Sequence, residues 1–159
     1  MTVPPRKILT IAVLVAAVGI GYYSMNSASV LSDDNYSYHG ETKWQTDVDE
    51  ATELAVEEER PVLVYFWTTW CTYCEDYNQN AYQDSAVMER LDEFVLLAVN
   101  LEEDKPGTNE LQREYDANYP PQHVAITPDG EVLTEINGYA EPDAFRGYLD
   151  DALTEWEQR

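Results

Sequence analysis

The sequence predicts an α/β domain in which strands and helices alternate, in the order βαβαββα after a first helix. Two short, nearly continuous apolar runs, Pro61 to Trp67 and Phe94 to Leu101, are typical of strands covered on both faces. The turn Thr127-Pro-Asp-Gly130 separates two further strand-like segments and predicts a hairpin. The pattern therefore indicates one sheet with helices packed against it.

The helices are predicted from amphipathic spacing and from residues that begin or end a helix. Each predicted helix starts at a capping residue, a cysteine or a proline, or follows a loop. The first predicted helix runs from Thr46 or Asp47 to Arg60, and the fourth from Thr108 to about Ala117. The other three begin at Cys71, at Asp84-Ser85 and at Pro142.

The N-terminal segment predicts a membrane anchor. Ile8 to Tyr23 is apolar and free of charge, and Arg6 and Lys7 precede it. Spanning takes about 20 apolar residues, so the run is short and a cleaved signal peptide is the alternative. Basic residues before the run place the domain outside the cytoplasm. We expect an anchor at 1–25, a polar tether at 26–45 and a globular domain at 46–159.

The charge of the chain is strongly negative. It has 31 acidic residues against 9 basic ones, for a net charge of -22, and every acidic residue follows Tyr23. Such a surface repels nucleic acid and anionic lipid head groups, which excludes nucleic acid as a partner. It also predicts a halophilic protein, because a Debye length of roughly 3 Å at 1 M salt screens the self-repulsion.

Both cysteines, Cys71 and Cys74, lie in the stretch FWTTWCTYCEDY, directly after the first apolar strand. This arrangement places the first thiol at a helix N-terminus, where unpaired N–H groups favour the thiolate. Because the thiolate is the species that attacks disulfides, Cys71 is the candidate nucleophile. Cys74, one turn further along the helix, is the candidate resolving thiol.

Three other uses of the two cysteines compete with redox chemistry. A structural disulfide that closes so short a loop removes little chain entropy. Zinc normally takes four ligands, and only His39 and His123 could join the thiolates, although two cysteines can hold Cu(I). Covalent haem attachment needs a histidine directly after the second cysteine, where Glu75 stands. We predict no cofactor, and a copper-handling or assembly module is the alternative function.

With the apolar strand, the Trp-Cys-x-x-Cys motif and a proline further along, residues 46–156 resemble the thioredoxin-like family. The stretch RPVLVYFWTTWCTYCEDYNQNAYQDSAVMERLDEFVLLAVNLEED is similar to the C-terminal extracytoplasmic domain of DsbD-type transmembrane reductases. The resemblance implies a thioredoxin-like fold, with a central mixed sheet flanked by helices. It implies thiol–disulfide exchange, with client proteins and a membrane electron donor as partners and cytochrome maturation as one client pathway.

The family has a cis-proline that faces the cysteines. The resemblance assigns this role to Pro121, because its distance from Gly130 is the usual one in the family, and Pro120 is the other candidate. If Pro121 is the cis residue, Pro120 occupies a position whose backbone normally pairs with the client. As a proline, it has no N–H to donate.

The residues around the motif suggest a client surface and a route for protons. Trp70 and Tyr73 are expected to form an aromatic rim that receives an apolar partner, although Tyr73 could equally pack inside. Tyr65 stands where many thioredoxins carry a buried aspartate that manages the proton of the deeper thiol. Glu75 and Asp76 are the candidates to replace it, unless they only stabilise the helix N-terminus.

Overall fold

The computed structural model describes residues 44–159. Its helices are α1 (Val48–Glu58), α2 (Thr72–Gln79), α3 (Ser85–Leu91), α4 (Pro106–Glu114) and α5 (Pro142–Glu157), with a 3₁₀ turn at Ala81–Gln83. Its strands are β1 (Val62–Trp67), β2 (Val95–Asn100), β3 (Gln122–Ile126) and β4 (Val132–Asn137). The predicted anchor at 1–25 lies outside the described residues. Within 44–159, no helix combines the length and the apolar character needed to cross a membrane.

The four strands form one mixed sheet in the order β2-β1-β3-β4. The central strand β1 runs parallel to β2 and antiparallel to β3, and β3 pairs antiparallel with β4. The predicted α/β fold with a mixed sheet flanked by helices is therefore confirmed. All six residues of β1 are buried, as the continuous apolar run predicts for a strand covered on both faces.

Alternation along β1 divides the core into two layers. Leu63, Tyr65 and Trp67 face the layer that contains both cysteines, together with buried residues of α2, α3 and α5. Val64 and Phe66 face the opposite layer, which packs against α1 and the loop after α4. The candidate site therefore lies on one defined face of the sheet, above the end of β1.

The helix boundaries follow local capping chemistry. Asp47 caps α1, and its carboxylate oxygen accepts a hydrogen bond from the N–H of Glu50 at 3.0 Å. The helix ends at Glu58, two residues before the predicted end at Arg60, and the next residue, Glu59, has a φ of 51°. The prediction for α4 was also wrong at its start. This helix begins at Pro106, because a proline at the first helical position gives up an N–H that would be unpaired anyway.

The folded domain begins before the predicted end of the tether at residue 45. Trp44 is buried, and its ring centroid lies 5.5 Å from that of Tyr65 and 5.6 Å from that of Tyr82. Gln45 forms a parallel bridge to Leu97 on the outer edge of β2. The sequence pattern missed this contact, because one tryptophan in a polar segment has no periodicity to reveal it.

Candidate active site

The two cysteines are joined in a disulfide at the start of α2. The Sγ atoms are 2.05 Å apart and the Cα atoms 5.2 Å apart. Cys71 is the residue that caps the helix, and its Sγ accepts a hydrogen bond from the N–H of Cys74 at 3.1 Å. The helix N-terminus thus directs an N–H at the first sulfur, which is the arrangement that stabilises a thiolate there.

The two sulfurs differ in access from solvent. Cys71 keeps 6% of its surface exposed, whereas Cys74 is completely buried. An incoming disulfide can therefore reach only the first cysteine without opening the fold. The accessible side of the pair is also the side that begins the helix, so access and thiolate stabilisation favour the same residue.

Exposed aromatic side chains lie next to Cys71 in the chain and in the loop before the cis-proline. Trp70 is 70% exposed and Tyr73 is 59% exposed, and the ring of Tyr73 stacks on that of Tyr139 with centroids 6.4 Å apart. Tyr119, in the loop before β3, is 86% exposed. We call Trp70, Tyr73, Tyr119 and Tyr139 the aromatic rim. Large exposed aromatics in one region are typical of a surface that receives a partner.

The cis peptide bond lies between Pro120 and Pro121, so Pro121 is the cis-proline. Gln122, the next residue, pairs with Phe66 at the end of β1, from which the chain continues to the cysteines. The carbonyl oxygen of Pro121 accepts a hydrogen bond from the N–H of Gly138 at 2.8 Å. The structure therefore brings the proline loop, the end of β4 and the cysteine loop to the same edge of the sheet.

Two carboxylates of the site are held by hydrogen bonds. Glu75 is half-buried and accepts from the amide of Gln79 at 2.6 Å, one turn further along α2. Glu102, in the loop after β2, accepts from the N–H of Thr69 at 2.6 Å and so holds the loop that leads to Cys71. Sequence reasoning missed Glu102, because nothing local links it to the cysteines.

A buried aromatic cluster lies on the same face of the sheet as the disulfide. Its members are Tyr65, Tyr77, Tyr82, His123 and Phe145. Tyr65 and His123 pair across β1 and β3, with rings stacked at 4.6 Å, and the hydroxyl of Tyr82 lies 2.6 Å from Nε2 of His123. Sequence reasoning considered His123 only as a metal ligand. The one signal for this position was its place two residues after the cis-proline.

Tyr77 connects this cluster to the loop after β4. Its hydroxyl donates to the carbonyl of Gly138 at 3.2 Å and accepts from the N–H of Ala140 at 3.1 Å. Burial raises the pKa of Tyr77 and of Tyr82 well above the ordinary tyrosine value. Both phenols therefore stay neutral around neutral pH, and their hydrogen bonds persist.

The donor set in the described part of the chain does not build a multidentate metal site. Among residues 44–159, no three histidine, cysteine, aspartate or glutamate side chains lie close enough to hold one ion. His123 is fully buried between aromatic rings. A four-ligand zinc site that uses both cysteines and His123 is not present in these residues.

The domain combines a mixed sheet, a helix that starts at a Cys-x-x-Cys disulfide and a nearby cis-proline. These three features define a thiol–disulfide oxidoreductase domain. The family model of the thioredoxin-like domain matches residues 48–153, and the chain therefore belongs to that family. The resemblance noted in the sequence is confirmed.

The curated relatives include proteins that exchange thiols and disulfides. The thiol:disulfide interchange protein DsbD of Actinobacillus pleuropneumoniae is 23% identical over 99 residues, which cover 61% of this chain and 17% of that protein. The thiol-disulfide oxidoreductase ResA of Oceanobacillus iheyensis is 28% identical over 127 residues, which cover 66% of this chain and 64% of that protein. The chain thus spans a small part of the length of the DsbD protein that it matches.

Solved structures show the same fold. A thioredoxin from Thermus thermophilus superposes with a TM-score of 0.61 at 27% identity, covering 70% of this chain and 87% of that chain. The oxidised C-terminal domain of DsbD from Neisseria meningitidis superposes with a TM-score of 0.57 at 21% identity, covering 69% of this chain and 98% of that chain.

Proposed function

We propose that this protein is a membrane-anchored, extracytoplasmic thiol–disulfide oxidoreductase that reduces disulfides in client proteins. The observation that carries the proposal is the unequal access of the two cysteines. Cys71 lies at a helix N-terminus with part of its surface exposed, and Cys74 is completely buried behind it. This arrangement suits a nucleophile that meets the client and a second thiol that acts only afterwards.

The reaction divides into two exchanges. The Cys71 thiolate attacks one sulfur of the client disulfide, forms a mixed disulfide and releases the other client sulfur as a thiolate. Cys74 then attacks Cys71, closes the disulfide seen in the structure and releases the second client sulfur. The dithiol gives up two electrons in each cycle, so a separate membrane protein must supply two electrons to restore it.

The aromatic rim is the proposed client surface. Trp70 and Tyr73 provide exposed apolar area next to Cys71 in the chain, and Tyr119 provides it in the cis-proline loop, which suits an apolar segment next to the client cysteine. Pro120 has no N–H, so the loop beside the cis-proline offers the client one main-chain donor fewer than it would with any other residue at this position. Side-chain contacts with Trp70 and Tyr73 therefore take a larger share of the binding.

The proposed location rests on the N-terminal sequence. An uncharged apolar run behind Arg6 and Lys7 suits a single-pass anchor with the acidic domain outside the cytoplasm. A reductase outside the cytoplasm serves pathways that need free thiols there. Cytochrome maturation, which requires reduced haem-attachment cysteines, is the client pathway that we propose.

Single cysteine variants test the proposed roles. We expect Cys71→Ser to abolish attack on a protein disulfide such as that of insulin. Cys74→Ser should still attack but accumulate mixed disulfides, because only the resolving step is lost. The measurement is insulin reduction by the full-length chain in mild detergent, together with gel detection of the trapped mixed disulfide.

The outcomes separate the proposal from its rivals. Equal loss of attack in the two variants would reject Cys71 as the nucleophile. Tight Cu(I) binding by the wild-type dithiol without any insulin reduction would support the copper-handling alternative instead.

A further inference from the structure

The loop between β4 and α5 lies at the edge of the sheet that carries the site. It consists of Gly138, Tyr139, Ala140 and Glu141, and it has no regular secondary structure. The N–H of Gly138 donates to the carbonyl oxygen of the cis-proline Pro121 at 2.8 Å, so the loop starts beside the proline loop. Since no helix or strand ladder pairs its other backbone groups, they need partners from elsewhere in the fold.

The hydroxyl of Tyr77 is the partner of two of these backbone groups. It donates to the carbonyl oxygen of Gly138 at 3.2 Å and accepts from the N–H of Ala140 at 3.1 Å. Tyr77 is completely buried and follows Cys74 by one turn of α2. One hydroxyl therefore ties the backbone on both sides of Tyr139 to the helix that carries the cysteines.

The ring of Tyr139 packs against the same helix. Its centroid lies 5.1 Å from that of Tyr77 in an edge-to-face contact, and 6.4 Å from that of Tyr73 with the two planes 9° apart. Both distances are in the range at which aromatic rings attract each other. Tyr73 stands between the two cysteines in the chain and is 59% exposed. The half-buried ring of Tyr139 therefore extends the exposed ring of Tyr73.

The ring and the hydroxyl of Tyr77 have separable roles. The ring belongs to the buried layer, where its centroid lies 5.6 Å from that of Tyr82 and 5.0 Å from that of Phe145. A phenylalanine ring would make the same contacts. A buried hydroxyl is unfavourable unless it is hydrogen-bonded, and both bonds of this one go to the loop after β4. The hydroxyl therefore serves the loop rather than the packing of the core.

We propose that the Tyr77 hydroxyl is a positioning group for client recognition. It holds Tyr139 parallel to Tyr73, and the two rings together bind an aromatic side chain next to the client cysteine. The inference rests on the proposed thiol–disulfide exchange. Two parallel rings offer a flat apolar surface, on which a further aromatic ring packs offset or edge-to-face. The pair selects among clients and takes no part in the exchange of sulfur bonds.

Two peptides that differ at one residue test the inference. Each carries a single cysteine in a mixed disulfide with thionitrobenzoate, and the residue before the cysteine is phenylalanine in one peptide and glycine in the other. The Cys71 thiolate of the reduced full-length chain, in mild detergent, forms a bond to the peptide sulfur and releases thionitrobenzoate, the better leaving group, which absorbs visible light. Because both peptides present the same disulfide, the ratio of the two rate constants does not depend on the reactivity of the thiolate.

We expect the wild type to react about fivefold faster with the phenylalanine peptide, since an aromatic contact contributes roughly that factor. Tyr77→Phe and the surface variant Tyr139→Ala should each lower this ratio to less than about twofold. The double variant should lose no more than Tyr139→Ala alone, because both changes act through one ring. The matched control is Tyr148→Phe, which removes another buried tyrosine hydroxyl, bonded to the carbonyl of Thr134 at 3.4 Å, and should keep the wild-type ratio.

Hydrogen exchange measured by NMR observes the hydrogen bond itself. In the wild type, the amide of Ala140 should exchange at least about tenfold more slowly than in an unstructured peptide, because its N–H is bonded. Tyr77→Phe should remove most of this protection, and Tyr148→Phe should not.

The outcomes distinguish failure of this inference from failure of the proposed function. An unprotected Ala140 amide in the wild type would overturn the inference, as would a wild-type ratio near one or a wild-type ratio in Tyr77→Phe or Tyr139→Ala. The wild-type measurements and Tyr139→Ala leave the core unchanged, so they test the inference even if Tyr77→Phe fails to fold. Absence of thionitrobenzoate release from both peptides by the wild type would instead reject the proposed function itself.

Discussion

Cys71 begins its helix in a stretch without positive charge. From Pro61 to Glu89 the sequence contains no Lys, Arg or His, and Glu75 and Asp76 lie in the first turns of α2. A strongly oxidising couple requires a strongly stabilised thiolate, which these acids oppose. The helix N-terminus alone then supports the thiolate, and this favours a reducing couple.

We therefore expect the reduction potential of the Cys71–Cys74 pair to lie nearer about -270 mV than about -120 mV. Equilibration with dithiothreitol at stated salt concentrations measures it. Glu75→Lys should raise the potential by stabilising the Cys71 thiolate, whereas Glu110→Lys, which makes the same change on exposed α4, should not. A wild-type potential above about -150 mV would contradict the proposed direction.

At the residue scale, the sequence predicted those site residues that a local motif announces. Cys71, Cys74 and Trp70 belong to one continuous motif, and the resemblance to the family assigned Pro121 by its distance from a turn glycine. Glu102 and the cluster around His123 could not be found in this way. Their contacts join residues more than thirty positions apart, so only the pairing of strands and the docking of helices brings them together.

At the scale of elements, the strands and most helix starts were predictable because each has a local physical cause. Continuous apolar runs became β1 and β2, and Asp84 caps α3 by accepting from the N–H groups of Ala86 at 2.9 Å and Val87 at 3.1 Å. Helix ends were harder to predict. The end of α1 depends on Glu59 in the left-handed conformation, which has no strong sequence signal when that residue is not glycine.

Glu59 illustrates how a left-handed residue at a helix end lowers the free energy of unfolding. It takes a φ of 51° at the end of α1, a conformation that L-residues other than glycine and asparagine rarely adopt. Glu59→Gly should raise the free energy of unfolding by about 1 kcal/mol. Glu53→Gly removes the same charge from the exposed interior of α1 and should lower it by about 1 kcal/mol.

Urea denaturation of the two glycine variants and the wild type measures these changes. Because the variants share the loss of one acidic side chain, their difference isolates the backbone effect. Equal effects of the two substitutions would show that charge, rather than the left-handed conformation, controls this helix end.

At the scale of the whole molecule, the buried tyrosines predict how stability changes in alkali. Burial raises the pKa of Tyr77, Tyr82 and Tyr148 above the ordinary value of 10.0. Above about pH 10, the unfolded chain loses these protons while the folded protein keeps them. The free energy of unfolding should therefore be undiminished below pH 10 and fall above it, by about 1.4 kcal/mol per pH unit for each phenol.

Denaturation curves of the oxidised protein between pH 9 and pH 11 test this expectation. Tyr148→Phe should reduce the slope, because one buried phenol no longer contributes to it. Tyr119→Phe, at a site that is 86% exposed, should leave the slope unchanged. A free energy of unfolding that stays constant across this range would contradict the raised pKa values of the buried tyrosines.

The charge balance makes a further prediction for the whole molecule. Five described basic residues form ion pairs: Arg60 with Glu58, Arg90 with Asp150, Lys105 with Glu103, Arg146 with Asp143, and Arg159 with Glu131. Since the chain has 31 acidic and 9 basic residues, most carboxylates have no cation to pair with. Exposed pairs contribute only about 0 to 1 kcal/mol each, so repulsion among the excess carboxylates dominates the response to salt.

We therefore expect the free energy of unfolding to rise as KCl increases from 0.1 M to 1 M, because the Debye length falls from about 10 Å to about 3 Å. Urea denaturation at each salt concentration measures the effect. Replacing Glu53 and Glu57, which are exposed on α1, by glutamine should raise stability in low salt and weaken its dependence on KCl. If salt instead lowers stability, the ion pairs outweigh the repulsion and the proposed adaptation to strong salt fails.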